Sequence, residues 1–246
     1  GNVRSSNGAA SGYPFVIYSD SYDHAQYITG ISAASLCGIL WTPEIRNAAT
    51  AREWLNRMQT VCFSPMAKLN AWASGLQPWS FPEVEEAVRK VLQLRMRLLP
   101  YIYSAFADYH FNGTPPMRAM ILESEANAIN GIVVEGKLDS ETNPYAIDQI
   151  IDTTDQFMFG PSIMVAPFYD DKATERQVHL PPGNWYDFYS GQLVGSHTTL
   201  LVKAEELNDQ IPLFVKDGAL IPMVSKDVLN TEEIQDCDLE VRHYGT

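Results

Sequence analysis

The apolar pattern of this chain changes period once, and that change limits the folds open to it. Up to residue 123, compact apolar runs alternate with segments of helical spacing. From residue 155 onward only short strand-like runs remain, split by turn residues. In the first part, YPFVIYSD (residues 13–20) reads as a buried strand ending in acid, after a small, polar loop over residues 1–12. Residues 23–38 carry Ala25, Ile28, Ile31 and Leu36 at helical spacing, and CGILW (37–41) is a short buried strand followed by Pro43 and Glu44. Thr50 and Glu53 form the capping-box pattern ahead of Trp54, Leu55, Met58 and Val61. Ser80 and Glu83 repeat it, with Pro82 in the first turn. That second helix keeps its apolar period from Val84 to Leu99, kinks at Pro100, resumes to His110 and stops at Asn112-Gly113. PPMRAMILE (115–123) is read as a third buried strand ending in acid.

Strand, helix, strand, helix, strand with every strand buried is the rhythm of a parallel α/β barrel. The later part, with QFMFG, SIMVAPFY, RQVHL, WYDFY, TTLLV, PLFVKDGALIPMV and LEVRHY divided by PPGN, SG and DG turns, reads as an antiparallel β-sandwich. The expected division is therefore residues 1–124 as part of a parallel α/β barrel (the C-terminal part of a TIM (β/α)8 barrel by the resemblance described below), 125–154 as insert or linker, and 155–246 as the sandwich. Residues 130–138 alternate weakly and read as a hairpin excursion.

Charge narrows the partners. A formal net charge of −13 disfavours a polyanion, and no run of five Lys or Arg occurs, so no nucleic-acid partner is expected. A neutral ligand such as a sugar, or a cationic one, fits better. The opening GNVRSSNGAASG lacks the apolar core of a leader, and no apolar run reaches the length of a membrane span, so no membrane partner is expected. Cys37, Cys62 and Cys237 stand singly beside apolar runs and read as buried free thiols.

Parallel barrels place their chemistry where strands end at the C-terminal face, so acids just past a strand are candidates by position. Asp20, Glu44 and Glu123 qualify, each with the competing reading of a solvated loop acid or helix cap. His24 follows Asp20 by four residues and either tunes it or packs in the wall. The histidines have no metal-ligand spacing, and no GxSxG, phosphate loop or dinucleotide fingerprint is present. No metal or cofactor is expected, and carboxylate chemistry or none is left.

The order of several strings resembles glycoside hydrolase family 31. RSSNGAASGY (4–13) has the length and ends of the family's R-S-x-x-x-G-S-Q-R-Y, and Tyr18-Ser19-Asp20 stands near its Trp-x-Gly-Asp. SLCGILWTPEIR (35–46) is similar to its S-L-S-G and D-I-G-G-F segments, and FSPMAKLN (63–70) to its FSPFFRNH. QPW (77–79), RLLPYIYS, TPPMRAMILE, DQFMFGPSIMVAP, LPPGNWYDFYSG and IPLFVKDGALIPM follow in the family's order.

That resemblance implies cleavage or transfer of an α-linked glycoside with retention, using two carboxyl groups about 5–5.5 Å apart. It implies Asp20 as general acid/base, with Asp23 as the alternative because the spacing to SLCG is short, and Arg4 as the arginine that reaches the sugar. Glu44 falls near the family's substrate-lining Asp, Arg46 where Gly is usual, Lys68 at its Arg and Asn70 where a sugar-binding His is common. Trp41, Trp72 and Trp79 are candidate stacking walls, with core packing as the rival reading. No residue here matches the family's nucleophile, which sits on an earlier strand. The expectation is thus a fragment or subunit that needs the remainder of the barrel, from an upstream segment or a partner chain, and is inactive alone. The alternatives are a non-catalytic carbohydrate-binding or partner-completing piece, an α-transglycosylase and, last, a β-sandwich adhesion module.

Overall fold

Three short strands at the head of the chain run parallel in the order β1 (Asn2–Val3), β2 (Val16–Tyr18), β3 (Trp41–Thr42). The computed structural model describes residues 2–3, 16–18, 23–123 and 153–245. Arg4, Asp20 and the weakly alternating segment 130–138 lie outside the described residues. Helix α1 (His24–Leu36) joins β2 to β3 as a parallel crossover requires, and Asp23 caps it by accepting from the Gln26 N–H at 3.0 Å. The strand expected over 37–41 begins only at Trp41, because α1 runs on to Leu36 and Cys37 caps it.

Helix α2 (Ala51–Cys62) starts on the capping box: Thr50 Oγ1 accepts from the Glu53 N–H at 3.1 Å, and Glu53 reaches back to the Ala49 N–H at 2.6 Å. Trp54 and Leu55 are fully buried behind it, each contributing about 1.5–3 kcal/mol by the usual burial scale. The short α3 (Ala71–Ser74) and a 3-10 turn (Pro82–Val84) lead into α4 (Glu85–Arg97). The second expected capping box does not form. Ser80 turns its hydroxyl back to accept from the Gln77 N–H at 2.8 Å, and Phe81 provides the cap position without a side-chain bond. At Pro100 the chain breaks rather than kinks. Leu98 closes α4 and α5 (Leu99–Asn112) follows, ending on Gly113 in the left-handed region at φ 78°.

The third expected barrel strand goes elsewhere. β4 (Met117–Ala119) pairs antiparallel with β5 (Phe157–Phe159) and opens a six-stranded sheet. Its order is β4-β5-β6-β11-β8-β9, with β6 (Ile163–Val165), β8 (Asn184–Asp187), β9 (Leu193–Ser196) and β11 (Leu213–Lys216). Two antiparallel ribbons complete the sandwich: β7 (Glu175–His179) with β10 (Thr199–Lys203), and β12 (Leu220–Val224) with β13 (Leu239–His243).

Both faces of the large sheet are covered, which explains why its strands read as unbroken apolar runs. Phe157, Phe159, Ile163, Val165, Leu213 and Val215 point into one core with Ile28 and Ile31 of α1 and Tyr101 and Ile102 of α5. Met158, Met164, Trp185 and Phe214 alternate to the other face, against Val178 and Leu200 of the β7–β10 ribbon. The partial barrel and the sandwich therefore share one core. Tyr101 pins the seam. Its hydroxyl donates to Phe159 O at 2.8 Å and accepts from the Ser162 and Ile163 N–H groups at 2.8 and 3.2 Å. A Cβ on Gly160 between them would lie 2.5 Å from the Tyr101 ring, so only glycine fits that turn.

The three cysteines are free, but only Cys62 is buried; Cys37 is exposed and Cys237 is intermediate. Among the described residues no helix is long and apolar enough to cross a membrane.

Candidate active site at the strand ends

The C-terminal ends of β2 and β3 open onto a pocket of about 200 Å³ lined by Tyr18, Glu44, Arg46, Lys68, Asn70 and Trp72. Tyr18 is the last residue of β2, and Glu44 lies two residues beyond β3. A parallel bridge between Ile45 and Leu69 clamps the two loops that carry the polar side chains. Ile45 N donates to Lys68 O at 3.1 Å and Asn70 N donates to Ile45 O at 2.8 Å, while the Ile45 side chain is fully buried. Alternation then places Glu44 and Arg46 from one loop, and Lys68 and Asn70 from the other, around one centre.

Glu44 is only 2 % exposed and is held by charge and hydrogen bonding. Lys68 Nζ lies 3.1 Å from its Oε2, Arg46 Nε lies 4.0 Å from Oε1, and the Asn70 amide donates to Oε1. Lys68 Nζ also sits 3.1 Å from the centre of the Tyr18 ring, so the cation rests between a π face and a carboxylate. Because the carboxylate accepts, Asn70 must turn its NH2 toward Glu44, and its carbonyl oxygen faces away. That Oδ1 is buried and takes no hydrogen bond among the described residues.

Other expected residues are placed differently. Trp41 packs on α1, with its ring 2.5–2.9 Å from where a Cβ on Gly30 would sit, and does not line the pocket. Trp79 is exposed in a separate apolar cleft with Pro78, Met96 and Leu229. Only Trp72, 86 % exposed, reaches the pocket rim. His24 is buried and bonds Thr60 Oγ1 at 2.7 Å; burial first, and Arg57 second, bring its pKa down to about 3, so it is a neutral core histidine near pH 7. The Glu123 side chain is also nearly inaccessible, but it lies against Arg118 and Lys216 and does not line this pocket. Among the described residues no group of three or more His, Cys, Asp or Glu is arranged to hold a metal.

Another cavity, of about 470 Å³, lies between α4 and the sandwich and is lined by Gln59, Lys90, Arg97, Phe188 and Asp209 among others. It contains none of the candidate catalytic or sugar-binding residues named from the sequence. Position and chemistry, not size, mark the smaller pocket. Sequence reasoning passed over two buried groups beneath it, Tyr27 and Arg57. Arg57 had a signal available, a charge set within the apolar face between Trp54 and Val61 of α2.

A parallel-strand edge with acid and cations at its C-terminal end, packed on an antiparallel sandwich, is the architecture of a partial α/β barrel followed by a β-sandwich domain. The family comparison is specific. Residues 4–105 match the glycosyl hydrolase family 31 TIM-barrel domain and residues 113–221 match the family's C-terminal domain. The chain belongs to glycosyl hydrolase family 31. It is 32 % identical over 196 residues to an alpha-xylosidase of Saccharolobus solfataricus, covering 78 % of this chain and 24 % of that protein. It is 29 % identical over 214 residues to alpha-glucosidase 2 of Bacillus thermoamyloliquefaciens, covering 84 % and 24 %. Among solved structures, a cycloalternan-forming enzyme from Listeria monocytogenes, in complex with a pentasaccharide substrate, superposes with a TM-score of 0.75 at 25 % identity, over 94 % of this chain and 22 % of that one. The chain thus spans about a quarter of the length of each of these two curated relatives.

Proposed function

We propose that this chain carries the acid/base half of a retaining α-glycosidase site, and that the remainder of the barrel supplies the nucleophile. The observation that carries this reading is the buried Glu44 cluster at the C-terminal ends of β2 and β3, where barrel chemistry is placed. In this reading Asp20 is the general acid/base, two residues beyond Tyr18 of the pocket, and Arg4 reaches the sugar. Glu44 and Asn70 hold sugar hydroxyls, Lys68 and Arg46 hold Glu44 in place, and Trp72 forms an outer wall. Asp23 has other work as the cap of α1, which favours Asp20. The barrel part ends with α5 and the sandwich begins with β4, since β4 hydrogen-bonds to β5. The substrate is an α-linked oligosaccharide or glycoside. Transfer to a second sugar uses the same covalent intermediate as hydrolysis, and differs only in the acceptor.

The isolated chain, lacking a second catalytic carboxylate, is expected to show no turnover of nitrophenyl α-glycosides. Robust retaining hydrolysis by residues 1–246 alone would overturn this. In the complete enzyme, Asp20→Ala is expected to cripple substrates with poor leaving groups, spare activated aryl glycosides and respond to azide, because only a poor leaving group needs the proton. Asp23→Ala is expected to cost about 1 kcal/mol of stability, as a lost helix cap does, with catalysis unchanged. If Asp23→Ala shows the leaving-group pattern instead, the acid/base is Asp23.

A further inference from the structure

We propose that Tyr27 and Arg57 form a buried positioning relay that fixes the Glu44 loop and so governs sugar binding without touching sugar. This rests on the reading of Glu44 as a sugar-binding carboxylate. Tyr27, on α1, is fully buried, and its hydroxyl donates to the main-chain oxygen of Glu44 at 3.2 Å. Arg57, on α2, donates from Nη1 to the Tyr27 oxygen at 3.0 Å, and its guanidinium carbon lies 5.5 Å from the centre of that ring. A phenol oxygen has one proton and two acceptor sites. With Arg57 donating to the oxygen, the proton is directed to Glu44, and each bond polarises the other. Burial, outweighing the opposing influence of Arg57, raises the Tyr27 pKa, which keeps the hydroxyl a donor.

Arg57 is itself fixed. Its Nε and Nη2 hold Glu53 Oε1 at 3.0 and 2.7 Å, and the other oxygen of Glu53 accepts from the Ala49 N–H at 2.6 Å. The loop from β3 to α2 is therefore fastened at Glu44 O by Tyr27, at Ile45 by the bridge to Leu69, and at Ala49 N by Glu53. Neither Tyr27 nor Arg57 lines the pocket. Their leverage is geometric, since a displacement of about 1 Å in a binding group is enough to cost on the order of a hundredfold in rate.

The test is a double-mutant cycle on the complete enzyme, with 4-nitrophenyl α-glucoside and α-xyloside as probes. Tyr27→Phe keeps the ring and removes the donor. It is expected to lower kcat/KM about fivefold, in the range for one lost hydrogen bond. In a Glu44→Gln background the same change is expected to have under about twofold effect, because coupled residues do not add. Arg57→Lys, which keeps the charge but loses the fork, serves as the second arm if Tyr27→Phe folds poorly, and is expected to show the same coupling. A Tyr27→Phe loss that persists undiminished beside Glu44→Gln, or no loss at all, overturns the relay alone. A Glu44→Gln variant with unchanged kcat/KM overturns the reading of the site and the relay with it.

Discussion

Two glutamates of this chain with nearly inaccessible side chains look alike in sequence and are placed differently by the fold. Glu44 and Glu123 each follow an apolar run, each is nearly inaccessible, and each is flanked by two cations. Glu123 lies at the end of a 3-10 turn (Met120–Glu123) directly after β4. Arg118 places Nε and Nη2 on its Oε1 at 2.8 and 2.6 Å, and Lys216 of β11 binds Oε2. Arg118 also donates to Gly160 O at 3.1 Å, so the group stitches β4 to the β5–β6 turn and to β11. Every oxygen is used within the fold. Glu44 also has both oxygens engaged, but by side chains on two loops that end in an open pocket, and Asn70 beside it has a buried oxygen with no hydrogen-bond partner among the described residues. A nearly inaccessible carboxylate is a structural tie when its partners join elements of the fold to one another, as Arg118 and Lys216 do. It is a site candidate when it lines an open pocket beside a polar atom without a partner among the described residues.

The largest expected effect lies on the structural side. Glu123→Ala leaves Arg118, only 10 % exposed, without its counter-charge, and should lower stability by about 3–5 kcal/mol in urea unfolding. A loss under about 1 kcal/mol would erase the contrast between the two glutamates. Glu44→Gln should do the reverse. Its cations are 30 % and 23 % exposed and can return to water, so stability should change little. The kcat/KM of the complete enzyme should fall about 30-fold, equivalent to about 2 kcal/mol for a lost charge-assisted hydrogen bond. A stability loss as large as that of Glu123→Ala, with activity intact, would make Glu44 a tie as well.

The lysines sharpen the comparison further. Lys216 is 38 % exposed, so Lys216→Met should cost about 1 kcal/mol or less in unfolding, with activity unaffected. The smallest effect expected is a change of preference. Asn70→His replaces an amide that offers both a donor and an acceptor with a ring whose roles depend on its tautomer and charge. It should shift the ratio of α-glucoside to α-xyloside rates by a few-fold, about 1 kcal/mol or less, because a site built around particular hydroxyls discriminates by leaving its own polar groups unpaired. Identical ratios before and after would show that Asn70 does not set specificity.

Local chemistry made most helices legible. Thr50 with Glu53 marked the start of α2, Pro100 the break before α5 and Gly113 its end, because caps, proline and glycine act through a few bonds of their own backbone. Ser80 with Glu83 carried the same signature and failed, since Ser80 had a nearer donor in Gln77 N. The strands of the sandwich were legible as apolar runs, but their partners were not. PPMRAMILE has the composition of a buried strand in either sheet, and only the approach of Phe157–Phe159 made β4 antiparallel.

What the sequence alone determined was which segments bury themselves, where helices begin and stop, and which strings resemble the family, because these are encoded within a few consecutive residues. Tertiary structure alone decided which acid sits in a pocket and which in a seam. Glu44 and Glu123 differ in what surrounds them, an open pocket for one and a strand seam tied by a partner 93 residues away for the other, and the Tyr27–Arg57 pair beneath Glu44 spans 30 residues of chain. Burial and counter-charge are set by neighbours in space, and a linear pattern carries no record of them.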